Sequence, residues 1–185
     1  TSALMFVLRF FAGPIAHRIN PLGLLFVSSL LACAGLVMLG SSSTGFAILA
    51  AATVYGLGKT FLWPTMLGVV SERYPRGGAL TLGAVGAAGM LSAGLLGGPG
   101  IGYKQDYFAS QYLEERHASV YEQFRAPTEH GFLMFPKIAG LDGAAVGAIL
   151  EAPPSELTAV ENEYRGALVR ASIHGGQAAL RWTAL

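Results

Sequence analysis

Charge is what this 185-residue sequence has least of: 12% of its residues are Asp, Glu, Lys or Arg, against roughly 25% in an ordinary soluble domain. The shortage is uneven. Residues 1–102 carry Arg9, Arg18, Lys59, Arg73 and Arg76 against Glu72 alone, whereas residues 103–185 carry seven bases and ten acids. The net charge of +1 with no basic cluster excludes the usual footprint of a nucleic-acid binder. Cys33 is the only cysteine, so a disulfide framework is excluded as well. His117, His130 and His174 are too scattered for a metal site, and no cofactor or catalytic constellation is implied. There is no starting Met and no signal-peptide layout, and Thr1 and Leu185 both lie within apolar runs. The sequence therefore reads as an internal piece of a longer chain.

What is abundant is apolar residues: 52% of the chain, with a mean hydropathy of +0.49. A water-facing surface is hard to build from so few charges, and the class expected is an all-α membrane protein with a polar appendage. Four apolar stretches fill residues 1–102, at about 1–16, 22–40, 45–70 and 77–101. The second is 19 residues without a charge, close to the ~20 needed to cross hydrocarbon. The links between stretches are short, so neighbours run antiparallel and the first and third links share one side. Those links hold Arg18, Arg73 and Arg76, while Ser41–Thr44 is uncharged. The positive-inside bias makes the Arg-bearing side cytoplasmic and places residues 103–176 on the extracytoplasmic face.

The fourth stretch is built for close approach. Ten of the 26 residues from Gly77 to Gly102 are glycine. Small residues recur every four positions at Ala79, Gly83 and Ala87, and again at Gly89, Ala93 and Gly97, a spacing that lets helix backbones meet in lipid. With Gly86, these glycines form an expected packing face. Gly97-Gly98-Pro99-Gly100 should loosen or bend its outer end. Beyond Gly102, residues 105–124 place Phe108, Tyr112, Leu113, Val120, Tyr121 and Phe124 along one side of an amphipathic helix. Residues 131–150 read as packed loop or re-entrant structure. A second helix is expected after Pro153-Pro154, capped by Ser155, with Leu157, Val160, Tyr164 and Leu168 inward. Residues 177–185, with Trp182, read as the start of a further span.

Lys59 is the residue that asks most for an explanation. It lies about 16 Å of helix from the cytoplasmic end at 1.5 Å per residue, near the midplane, where a lysine is costly unless it faces water, a substrate or a counter-ion. Tyr55, Lys59 and Trp63 follow at successive i+4 spacings, so a hydroxyl, an ammonium and an indole share one face. Such a wall suits a sugar or a carboxylate-bearing metabolite. The bland alternative is a structural lysine paired with an acid elsewhere. Pro64, with Gly56 and Gly58 before it, gives the same helix soft points. Arg9, Glu72, Arg73 and Arg76 read either as a polar network or as topological anchors.

The segment Arg9-Phe10-Phe11-Ala12-Gly13-Pro14-Ile15-Ala16-His17-Arg18 resembles the loop motif of the major facilitator superfamily, although His17 stands where that family usually has aspartate and Asn20 where a second glycine is usual. Glu72-Arg73-Tyr74-Pro75-Arg76-Gly77 is similar to its Glu-Arg-aromatic-Pro signature two helices later, and Gly56-Leu57-Gly58 with Trp63-Pro64 resembles its tenth helix. The resemblance covers residues 1–102. It implies a partial major-facilitator bundle, helices eight to eleven with the twelfth beginning, or else helices two to five. It further implies alternating access in the plasma (inner) membrane, with proton or sodium coupling and the remaining helices of the full-length protein as partners. Tyr55, Lys59 and Trp63 would touch a small polar substrate. Gly13, His17 and Arg18 with Arg9, Glu72, Arg73 and Arg76 would form a cytoplasmic gate, and Gly83, Gly86, Gly89 and Gly97 would slide on a neighbour. The rival expectation is a non-transporting scaffold or sensor acting through residues 103–176.

Overall fold

The structure, a computed structural model, describes residues 20–184. These residues are mainly helical, and among them three helices are long and apolar enough to cross a membrane: Pro21–Ser41, Gly45–Arg73 and the continuous run Pro75–Arg116. The expected span at 1–16 lies outside the described residues, as do Arg9, Gly13, His17 and Arg18. The chain divides into two compact units, residues 1–95 with 180–185, and residues 96–179.

In the first unit, helix α1 (Pro21–Ser41) starts where Asn20 accepts the Leu22 amide on its side chain, with Pro21 in the first turn. Helix α2 (Gly45–Arg73) follows after three residues and returns along α1. Glycine sets how closely the two lie. A Cβ added at Gly35 would sit 2.5 Å from the Tyr55 backbone, and one at Gly58 would sit 2.5 Å from the Ala32 nitrogen. Neither contact could yield, because backbone atoms block both. α2 runs unbroken through Pro64. A 3₁₀ turn at Pro75–Gly77 then leads into α3 (Gly78–Ser92), entered through Gly78 at φ 49°, a conformation that favours glycine. Large apolar side chains cover the outside: Phe46 and Leu80 are each 84% exposed.

The expected loosening at Gly97–Gly100 takes another form. Ala93–Gly97 winds as a π-helix and the chain continues helical as α4 (Gly98–Arg116), with Pro99 in its first turn. A locally widened turn is one way an apolar helix accommodates a proline ring and the carbonyl it leaves unbonded. The helix therefore passes the expected end at 101 and runs on to Arg116.

The second unit has a side-chain core. α4, α5 (Ala118–Phe124), α6 (Gly143–Glu151) and α7 (Ala159–Thr183) enclose Ala109, Leu113, Val120, Phe124, Ala167, Leu168 and Ala171. The expected helix over 105–124 is divided at His117, whose φ of −146° and ψ of 56° break the run. The inward face still includes Leu113, Val120 and Phe124. The stretch expected as packed loop or re-entrant structure at 131–150 holds the returning limb of a sparse antiparallel hairpin over 125–141, bridged at Arg125–Leu141 and His130–Ile138, and then α6, capped by the Asp142 carboxylate. α7 begins later than expected from Pro153-Pro154. Its cap is Thr158, which exchanges hydrogen bonds with Glu161 in a capping box, and Val160 in the first turn is exposed. Residues 177–183 continue this helix without a break. Gly175 lets α7 meet the α4 backbone at Gln105 and Ala109.

Candidate functional site

Lys59 is the central residue of α2 and is exposed. Its Nζ lies 5.9 Å from the centroid of the Tyr55 ring, within the range of a cation–π contact. Tyr55 itself sits where α2 presses on Gly35 of α1. Trp63, one turn beyond Lys59, turns towards α3: a Cβ at Gly89 would sit 3.0 Å from its ring. The stripe thus begins at one neighbouring helix and ends at another, with the ammonium between them. Among the described residues no carboxylate pairs with Lys59.

The other expected residues divide. Glu72 and Arg73 at the end of α2 line a cleft of about 330 Å³ together with Asn20, Pro21 and Leu22 at the start of α1. Arg76 lies in the following 3₁₀ turn, and all three charged residues are exposed with no ion pair between them. Gly89 meets Trp63, but Gly83 and Gly86 face open space among the described residues. Gly97 lies in the π-helical turn.

The second unit holds a polar cluster that sequence reasoning missed. Asp106 on α4 accepts the Leu141 amide at 2.9 Å and the Ser110 hydroxyl at 3.4 Å on one oxygen, and its other oxygen lies 3.2 Å from His130 Nε2. Gly140 makes this approach possible, since a Cβ there would collide with the Asp106 carboxylate. The Tyr103 hydroxyl donates to the Pro136 carbonyl at 2.7 Å, and the Tyr121 hydroxyl donates to Ala139 at 3.1 Å. Burial, and then the negative charge of Glu114, push the Tyr121 phenol above its ordinary value, which keeps it a donor. Three side chains from α4 and α5 therefore hold the returning limb of the hairpin. The only advance signal was an acid just beyond an apolar run, and it named no partner. Among the described residues no group of His, Cys, Asp or Glu is arranged to hold a metal.

Compared with protein-family models, curated proteins and solved structures, the chain finds no match.

Proposed function

We propose that this chain is part of a secondary transporter of major-facilitator type, moving a small polar metabolite such as a sugar or organic anion by alternating access. Lys59 carries the reading: an exposed ammonium at the centre of an apolar 29-residue helix, with an aromatic ring beside it and no carboxylate paired to it among the described residues. A lysine at such depth costs about 2.5–3.5 kcal/mol even by the mildest scales, and such residues commonly mark a water-filled path or substrate site. Tyr55 and Trp63 would add ring faces and polar tips to the wall. Glu72, Arg73 and Arg76 would act at the cytoplasmic end, where the cleft beside Asn20 adjoins the stretch that follows Arg18. In this reading the membrane is the plasma (inner) membrane, residues 103–176 are extracytoplasmic, and a proton or sodium ion drives the cycle.

The test uses the full-length protein in proteoliposomes. Sugars and organic acids that raise its thermal stability are the ligands to follow. Lys59→Ala and Lys59→Gln should insert normally yet lose uptake; losing a contact of about 1.4 kcal/mol weakens binding about tenfold. Unchanged uptake in both variants removes Lys59 from the mechanism. The scaffold or sensor reading draws on the separate core of residues 96–179, and it predicts instead that deleting 103–176 abolishes partner binding while no solute accumulates.

A further inference from the structure

The hairpin over residues 125–141 ends in an apolar tip. The Phe135 amide donates to the Phe132 carbonyl at 2.9 Å, closing a turn whose central residues are Leu133 and Met134. These two are 73% and 91% exposed. Leu133 has a φ of 51°, at a turn position where glycine is the usual occupant. A large apolar side chain is thus displayed where the backbone would favour none, and an outlier of this kind points to a use for the side chain.

The level of the tip is set by its contacts with α4. The Phe132 ring lies 3.2 Å from where a Cβ of Gly100 would be, and the Phe135 ring stacks on Tyr103 at a centroid distance of 5.5 Å. Lys104 Nζ stands 4.3 Å from the Phe135 centroid and 5.4 Å from that of Tyr107. Residues 96–102 of this helix are uncharged and belong to the run Pro75–Arg116 that is apolar enough to span a membrane. Gly100 precedes Lys104, the first charge, by four residues, or about 6 Å along the axis. The tip therefore packs on the last apolar turn before the polar part of the helix. Aromatic rings and lysines at that level match the belt that marks a bilayer–water boundary.

We propose that residues 132–135 form an interfacial foot, with Leu133 and Met134 inserted below the lipid headgroups and Lys104 and Lys137 beside the lipid phosphates. The proposal rests on the helix being a membrane span. Charge favours this occupant, because Lys137 is exposed on the returning limb and anionic headgroups attract such a cation. The foot resembles a monotopic anchor, held in place by the Tyr103 and Asp106 hydrogen bonds beneath it.

The test uses the full chain in vesicles of phosphatidylcholine and phosphatidylglycerol, with an environment-sensitive fluorophore on single cysteines. Met134→Cys and Ser155→Cys are made in a Cys33→Ser background, and the natural Cys33, exposed on α1, serves as the membrane control. The Met134 site should show blue-shifted emission, quenching by shallow brominated lipid, and several-fold less quenching by aqueous iodide than the Ser155 site. A Met134 label quenched by iodide as strongly as Ser155, while Cys33 is quenched by lipid, overturns the foot and leaves the membrane setting of the chain intact. A Met134 label shielded from both quenchers places the tip against protein and also overturns it. Iodide quenching at both Met134 and Cys33 removes the membrane setting, and the foot with it.

Discussion

Residues 20–95 and residues 96–179 solve the problem of close packing in opposite ways. In the first unit helices touch through glycine, backbone against backbone, and large apolar side chains point outward. Its serine and threonine hydroxyls, at Ser41, Thr53, Thr60 and Ser71, each donate to a carbonyl about one turn back in their own helix. In the second unit, the Gly175 approach to α4 apart, the core contacts are made by Leu113, Leu168, Phe124 and their neighbours, and polar side chains reach across to other elements. Each pattern is the one that a different solvent favours. Lipid gives no gain for hiding a leucine, so van der Waals approach of backbones matters there, whereas water rewards each buried side chain.

The largest effect is expected in the second unit. Leu113→Ala empties a fully buried site and should cost about 2–5 kcal/mol, read as lost hydrogen-exchange protection across α4–α7. A loss below 1 kcal/mol would mean that this core is not what holds the unit. Next comes Gly58→Leu, which forces a side chain into the Ala32 and Ser28 backbone. It should cost about 1–3 kcal/mol, measured by unfolding in bicelles, while Gly83→Leu, with nothing within 4 Å among the described residues, should leave α1–α2 packing unchanged. Equal losses from the two would show that close backbone approach at Gly58 is not what packs α2 on α1 in this unit.

The smallest effect concerns the start of α7. The Thr158 hydroxyl, and then its amide, hold the Glu161 carboxyl below the ordinary glutamate range. A carboxyl depressed in this way stabilises the folded state above its ordinary value, and that contribution disappears as pH falls through the depressed one. Thr158→Val removes the hydroxyl and retains the amide, so the Glu161 midpoint should rise toward the ordinary value in an NMR titration. An unmoved midpoint would show that the hydroxyl does not set it.

The membrane-type helices were legible because uncharged runs of about 20 residues have few other uses. Their ends were less so. Gly97–Gly100 read as a loosened or bent outer end, and a π-helical turn carries the helix on past it, a backbone adjustment that composition does not encode. His117 divides an amphipathic run that periodicity alone would continue. The Tyr55–Lys59–Trp63 stripe was visible because i+4 spacing is local, and the structure adds that Trp63 meets Gly89. The Asp106 cluster was invisible for the opposite reason: its partners, His130 and Leu141, come from 24 and 35 residues away.

The left-handed Leu133 has a mechanical consequence. Holding a residue with a Cβ in that conformation costs about 1–2 kcal/mol, which the contacts around the turn must offset. The turn is closed by the Phe135–Phe132 backbone hydrogen bond and seated by the Phe132 and Phe135 rings on Gly100 and Tyr103 of α4. The outermost loop thus leans on the helix beneath it, and a change at Gly100 or Tyr103 would reshape the tip without altering one of its own residues.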